Sequence, residues 1–548
     1  MRKMNSLGLG LVVMALVAML CSAKVAWSQD VTATITGTIT DASGAPVAGA
    51  SVSAKDMDRG TVWPAKTNTD GIYNILKIPV GTYSVKVEAK GFQTALYPPF
   101  TLVLNQTARV DVQMKVGAVS ETIEVMGETP LLQTQSTEVS TLVDAATVTS
   151  LPLAARNYIQ LTLLSPGATN VNPSSMQFPQ NMINSGRPYI NGNREQANSF
   201  LLDGQINNES KNNETAYNPS VDAIQEFNLI TQNASAEFGN YQGGVVSVSI
   251  KSGTNSFHGD VFEFFRNDKL NSNNASDSWT KGLPAFEGAL GHTADGSVAK
   301  PELRYNMFGG TIGGPIMKDK LFFFADYQGQ RLVNAGVTAS QLLTTSERAG
   351  DFGQLCTQAG GTFSGAGICT GGTGAVQLKN PNNGNPVPNN NLAAAGLTIS
   401  SVAQNLFNSS FYPKPQLDLG NQNNYFYKSG NNLNNDQGDL KIDYILSQKD
   451  HIFGRYSKMD LRNPAFTGLP VASAGSGANI DDPVRNAVVS WTHSFGTNLL
   501  NEVRVGFGAV HFGQIGTSSD VLGAASQALG IAGGNDTAAK GLRSESVV

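Results

Sequence analysis

Charge is scarce in this sequence: Asp, Glu, Lys and Arg make up 14% of 548 residues and leave a net charge of −5. A nucleic-acid partner, which calls for a basic face, is excluded on that balance. Histidine is rarer still, with five in the chain, and none stands in His-Glu-x-x-His. A phosphate-binding Gly-x-x-x-x-Gly-Lys and a Gly-x-Ser-x-Gly elbow are also missing, so no enzyme of those kinds, no metal and no cofactor is expected. His258, His451 and His493 fall in stretches read as strands, where lumen or interface roles fit better than ligation. Beyond the first few dozen residues no apolar run reaches the roughly 20 residues of a spanning helix. What the chain has instead is 58 Gly, 23 Pro and tracts of Asn, Ser and Thr, the composition of many strands joined by polar loops.

Cysteine is nearly absent, with three in all. Cys21 lies in the leader, and Leu20 before it is too bulky for a lipidation site. Cys356 and Cys369 flank a Gly-rich loop, as a small disulfide of an oxidising compartment or as two separate thiols; neither reading makes them catalytic. Residues 1–28 read as a secretory signal: Arg2 and Lys3, an apolar stretch from Leu7 to Leu20, and Ala26-Trp27-Ser28 before the cut. An exported chain without a spanning helix is either soluble outside the cytoplasm or crosses as a closed barrel.

Residues 31–115 alternate in short strands with turns about ten residues apart, the rhythm of a β-sandwich. Ile35–Thr40, Val47–Ala54, Ile72–Ile75 and Tyr83–Val87 are the strands, with Tyr83, Val85 and Val87 on one face. The stretches Gly37-x-Ile39-x-Asp41-x-x-Gly44-x-Pro46-x-x-Gly49-Ala50-x-Val52, Thr69-Asp70-Gly71-x-Tyr73 and Gly81-x-Tyr83 to Lys90-Gly91-Phe92 resemble the carboxypeptidase-regulatory-like domain. That resemblance implies a carbohydrate-binding-like fold. Trp63 alone gives no aromatic platform for a sugar, and a structural or docking role is the plainer expectation.

Residues 117–129 hold a short β-prone strand, Glu121-Thr122-Ile123-Glu124-Val125, which resembles a TonB box; by composition alone a linker strand would look the same. Residues 130–255 change character. They carry Leu202-Asp203-Gly204, Ile224-Gln225-Glu226-Phe227, Ala236-Glu237-Phe238-Gly239 and Gly243-Gly244-Val245-Val246 through Lys251-Ser252-Gly253-Thr254-Asn255. The order and spacing of these blocks resemble the plug of TonB-dependent receptors, in the Oar-like branch. A plug sits inside a polar barrel, so Arg187, Arg194, Asp203, Glu226 and Glu237 are expected to pair with the wall, unless they are ordinary surface charges.

From residue 256 to 548 the chain reads as amphipathic strands: His258–Arg266, Arg304–Ile316, Lys320–Arg331, Gly438–Leu446, His451–Met459, Asn486–Phe495 and Leu499–Phe507. Leu440, Ile442 and Tyr444 alternate with charged neighbours, lipid on one side and water on the other. Tight turns at Met317-Lys318-Asp319, Ser447–Asp450 and Gly496–Asn498 alternate with long polar links, as periplasmic turns alternate with external loops. Phe308 through Phe324 again resembles the Oar-like family, with the phenylalanines as an aromatic girdle. The expected fold is mainly β: sandwich, α+β plug, and the first strands of a transmembrane barrel. Seven strands fall short of the roughly 22 such a receptor closes, so the sequence reads as C-terminally incomplete. The resemblance implies a receptor in the outer membrane of a Gram-negative bacterium, its sandwich in the periplasm, passing a large solute such as a glycan, siderophore or peptide. Its implied partners are outer-membrane lipid and TonB with its inner-membrane energising complex. A surface adhesin, a carbohydrate-binding surface protein or a protein-secretion conduit is the alternative.

Overall fold

Side chains alternate between two environments along every long strand, and the fold follows from what lies on each side. The computed structural model describes residues 32–117, 122–124, 136–171, 187–210, 212–239, 241–272, 302–409, 412–416, 424–463, 478–496, 499–511, 513–516 and 529–531. The leader, Glu121 and Val125 lie outside the described residues.

The first unit contains Ala33–Thr40 (β1), Ser51–Asp56 (β2), Val62–Lys66 (β3), Ile72–Ile78 (β4), Gly81–Glu88 (β5), Thr94–Leu102 (β6), Thr107–Arg109 (β7), Val112–Gln113 (β8) and Thr122–Glu124 (β9). One sheet runs β4-β1-β7 with β8 also on β1; the other runs β3-β2-β5-β6-β9. Every second residue of β1 is buried, and Ile35 and Ile39 meet Val52, Val85 and Val87 in the sandwich core. Tyr73 and Tyr83 are fully buried, each worth roughly 1.5–3 kcal/mol by area. Their hydroxyls donate to the carbonyls of Val110 at 2.9 Å and Pro79 at 2.7 Å, which avoids the cost of a buried unpaired hydroxyl. Strands β3 and β6 were not expected from the alternation. Pro64 interrupts one and Pro98-Pro99 the other, and proline is tolerated because β3 is a sheet edge and β6 shifts register there.

The second unit is a sheet in the order β10-β15-β16-β13-β14, with a separate β11–β12 ribbon. Its strands are Val139–Asp144 (β10), Ala168–Thr169 (β11), Tyr189–Ile190 (β12), Ser199–Leu202 (β13), Gln205–Ile206 (β14), Ile224–Gln232 (β15) and Val245–Ile250 (β16). Helix α1 (Ala145–Ser150) starts where the Asp144 side chain accepts the Thr147 N–H. All six residues of β16 are buried because both faces of the sheet are covered: Val246, Val248 and Ile250 pack in one apolar cluster and Val245 in another.

The third unit is an antiparallel meander: His258–Asn267 (β17), Leu303–Met317 (β18), Leu321–Ser340 (β19), Tyr425–Ser447 (β22), Asp450–Asn463 (β23), Ala478–Ser494 (β24), Leu500–Val510 (β25) and Gly513–Gly516 (β26). Each strand pairs with the one before it, except that β26 returns to β24, and the described sheet is not closed. Leu440, Ile442, Val503, Val505 and Phe507 are exposed on one face, while Asp439, Lys441 and Asp443 are buried on the other. That is the reverse of a water-soluble sheet and suits lipid outside and a plug within. Among the described residues no helix is long and apolar enough to cross a membrane.

Two expectations about the wall need correction. Phe322 and Phe324 are fully buried and share the inner face with Asp326, and Phe324 packs in the plug's apolar cluster, so these two form no lipid-facing girdle. Strand parity decides this, because alternate residues cannot all face lipid. The strands are also longer than the alternation showed. Leu332–Ser340 and Tyr425–Leu433 pair residue for residue, although the second run carries Lys428, Ser429, Asn431 and Asn432. Its polar composition erases the lipid signal, but the backbone ladder persists. Among its described residues, the long link between them holds a hairpin of Thr362–Phe363 (β20) and Cys369–Thr370 (β21), and the short α-helices α2 (Thr345–Arg348), α3 (Gln354–Thr357) and α4 (Ser401–Asn408). Cys356 and Cys369 are joined by a disulfide, with Cα atoms 5.9 Å apart.

Candidate functional site: the junction of plug and wall

The Leu-Asp-Gly block is a two-residue hairpin turn. Leu201 and Leu202 pair with Ile206 and Gln205, and Asp203 and Gly204 have φ of +47° and +73°. Two successive left-handed residues make the turn that matches strand twist, for which Asp-Gly is a favoured pair. The turn puts the Asp203 carboxylate at the tip, where it accepts the Ile250 N–H at 3.1 Å. There it meets the wall. Lys441 Nζ stands 3.1 Å from Asp203 Oδ1, and Arg455 Nε stands 2.8 Å from Oδ2.

The two cations are themselves fixed. Lys441 Nζ donates to the Ile250 carbonyl at 2.9 Å, and Arg455 donates to Asn486 Oδ1 at 2.9 Å and to Ser457. Ser457 in turn donates to Asp439, and the Tyr217 hydroxyl of the plug donates to Asp439 Oδ2 at 2.8 Å. Gln437 reaches the Asn218 carbonyl at 2.9 Å. Asp203, Asp439, Lys441 and Arg455 are each at most 7% exposed, so the network holds charges that survive burial through one another. A second contact lies beside it: Arg156, ion-paired to Asp222 at 2.7 Å, places its guanidinium 4.2 Å from the Phe264 ring of the wall.

The other charges singled out in the sequence lie elsewhere. Arg187 pairs inside the plug, with Glu195 at 2.9 Å and Glu214 at 3.4 Å, because the loop bearing Glu214 folds back over it. Arg194 is exposed before a short helical turn, and Glu237 is partly exposed beside the buried Phe238. Glu226 faces the sandwich: its carboxylate accepts the Leu104 N–H at 2.7 Å. Lys441, Arg455, Asp439, Tyr217 and Arg156 were not singled out. Alternation marks the first three as inward-facing, but no local pattern names a partner more than 200 residues away.

The sandwich also touches the wall. Lys77 Nζ lies 2.9 Å from Glu502, which pairs with Arg504, and the Asn255 N–H donates to the Asp58 carbonyl at 3.0 Å. Trp63 is buried edge-on against His451, 6.3 Å between ring centres, so it is no open sugar platform. Burial, followed by the charge of Asp144, pushes the Glu226 carboxyl up to about 7, while the Leu104 N–H pulls the other way. A carboxyl whose folded pKa is raised binds its proton more tightly when docked. Burial favours the protonated Glu226, so the folded state has its full stability below the unfolded value near 4.5 and loses it as pH rises through about 7. The span is on the order of 3 kcal/mol. Urea midpoints at pH 5 and pH 8 should differ in that sense, and Glu226→Gln should flatten the difference.

The family models that match the chain agree with this architecture. The family described as outer membrane beta barrel domain matches residues 249–547, and that described as carboxypeptidase regulatory-like domain matches residues 34–115. A curated relative, the TonB-dependent transporter Oar of Myxococcus xanthus, is 30% identical over 322 residues. The match covers 55% of this chain and 28% of the relative, so the chain spans well under a third of that protein's length. The outer membrane transporter YddB from Escherichia coli aligns at a TM-score of 0.39 and 11% identity, over 68% of this chain and 39% of its own. The siderophore receptor PirA from Acinetobacter baumannii aligns at 0.32 and 12%, over 68% and 44%. With more than half its length matched to that one family, the chain belongs to the outer membrane β-barrel domain family, and its place is the outer membrane.

Proposed function

We propose that this chain carries the sandwich, coupling strand and plug of a TonB-dependent receptor, which passes a large solute through a plugged barrel. The observation that supports this most is the Asp203 network, which fastens a mixed plug sheet to the charged inner face of a lipid-facing wall. A plug so fastened needs work to move. The outer membrane holds no ion gradient, so the work comes by contact with a protein energised at the inner membrane. Transport rather than catalysis is the activity, with a glycan, siderophore or peptide as the solute class.

TonB would add its strand to Glu121–Val125, reading backbone more than side chains. Purified TonB C-terminal domain should be captured by the full chain in detergent. Ile123→Pro removes a ladder donor and should lower capture at least about tenfold. Undiminished capture by the proline variant would sink the assignment.

A further inference from the structure

Thr122–Glu124 is already paired. It lies parallel to β6, with Thr94 opposite Thr122, Ala95 opposite Ile123 and Leu96 opposite Glu124. The chain up to Gly117 is tied down as well: Gln93 N–H donates to the Lys115 carbonyl at 2.8 Å, and Gly117 N–H to the Gly91 carbonyl at 3.2 Å.

The edge that receives it is short for a chemical reason. One residue beyond Leu96, β6 runs into Pro98-Pro99, and proline has no N–H to give a ladder. On its other side β6 shifts register against β5 across the same two residues, between Tyr83 and Val85. A partner that adds a strand works with about five or six extended residues. While Thr122, Ile123 and Glu124 are on β6, three residues of that length are already taken.

The far end of β6 has a second attachment. The strand ends at Leu102, and two residues later the Leu104 N–H is held by Glu226 of the plug. β6 therefore touches the coupling segment near its start and the plug just past its end.

We propose that the sandwich is an internal docking surface for the coupling strand: β6 holds Thr122–Glu124, and TonB engages the segment only after this short ladder opens. The proposal rests on the TonB reading above and adds the sandwich as its regulator. A carboxypeptidase-regulatory-like domain ahead of the plug then has a definite task, which is to keep the segment unavailable until the sandwich yields.

The test is a reversible lock. Leu96→Cys with Glu124→Cys puts two thiols at opposed positions of a ladder, where Cα atoms lie about 5 Å apart, within disulfide reach. The full chain in detergent is oxidised mildly, the cross-link is read by peptide mass, and capture by TonB C-terminal domain is measured before and after reduction. The parent chain, treated identically, controls for the Cys356–Cys369 bond. The expected result is a cross-link that forms readily and lowers capture at least about tenfold, with recovery on reduction. A cross-link that does not form overturns docking. Equal capture by locked and reduced chains overturns regulation. Failure of the parent and of every variant to capture TonB overturns the coupling reading and this proposal with it, while the cross-link still reports on the docked strand.

Discussion

Arg455→Ala should lower the stability of the plugged wall by about 3–5 kcal/mol, the cost of leaving buried charge without its partner. The Arg455 side chain is buried, its Nε stands 2.8 Å from Asp203, and the same guanidinium lies 3.8 Å from Asp439. Alanine would strand Asp203 with Lys441 alone and deprive Asp439 of its only cation within 4 Å among the described residues. Urea unfolding followed by protease sensitivity of the plug measures the loss. The double variant Asp203→Asn with Arg455→Met should recover only part of it, because it removes one charged pair but still leaves Asp439 and Lys441 buried without these partners. A change below about 1 kcal/mol in Arg455→Ala, the range of exposed pairs, would show that the network contributes little.

Gly253→Ala should be nearly as damaging, and for a steric reason. This glycine stands in the Lys-Ser-Gly-Thr-Asn block where the plug passes into the wall. A Cβ there would lie 2.4 Å from the Phe323 carbonyl oxygen and 2.6 Å from that of Gly314. Both obstacles are backbone atoms of paired strands, so neither can swing aside, and a cost of about 3 kcal/mol or more is expected. Gly239→Ala is the control, since nothing lies within 4 Å of a Cβ at that position. Equal unfolding midpoints for the two variants would contradict the tight junction.

The sequence made the units legible wherever one face meets apolar surroundings and the other does not. Alternation in Ile35–Ile39 and in Leu440–Tyr444 is a direct image of such a boundary. The Leu-Asp-Gly turn was legible as a block, and the structure supplies its reason, a left-handed pair that aims Asp203 at the wall. What the sequence could not carry was partnership. Arg187, Glu226 and Asp203 look alike as isolated charges among apolar residues, yet one pairs within the plug, one binds the sandwich and one binds the wall. Only the fold decides which distant group arrives. The upper parts of β19 and β22 were hidden for the opposite reason: their ladder is complete, but polar residues such as Asn334, Lys428, Asn431 and Asn432 interrupt the alternation.

The order of strands in the plug sets how it would give way. β10 is an edge of its sheet, while the turn that carries Asp203 lies beyond β15 and β16 on the opposite side. β10 also begins at the end remote from the sandwich, where Val139 pairs with Gln232, and runs back toward Asp144 and Glu226. Tension drawn from the sandwich side onto Val139 must therefore fold the strand back along itself. In that geometry the bonds to β15 are loaded singly, like a zip opened from its top, instead of sharing the load as they would in shear. Under the proposed coupling the pulled edge would yield at lower force than the ion pairs at Asp203, so the sheet would open on one side and keep its attachment on the other.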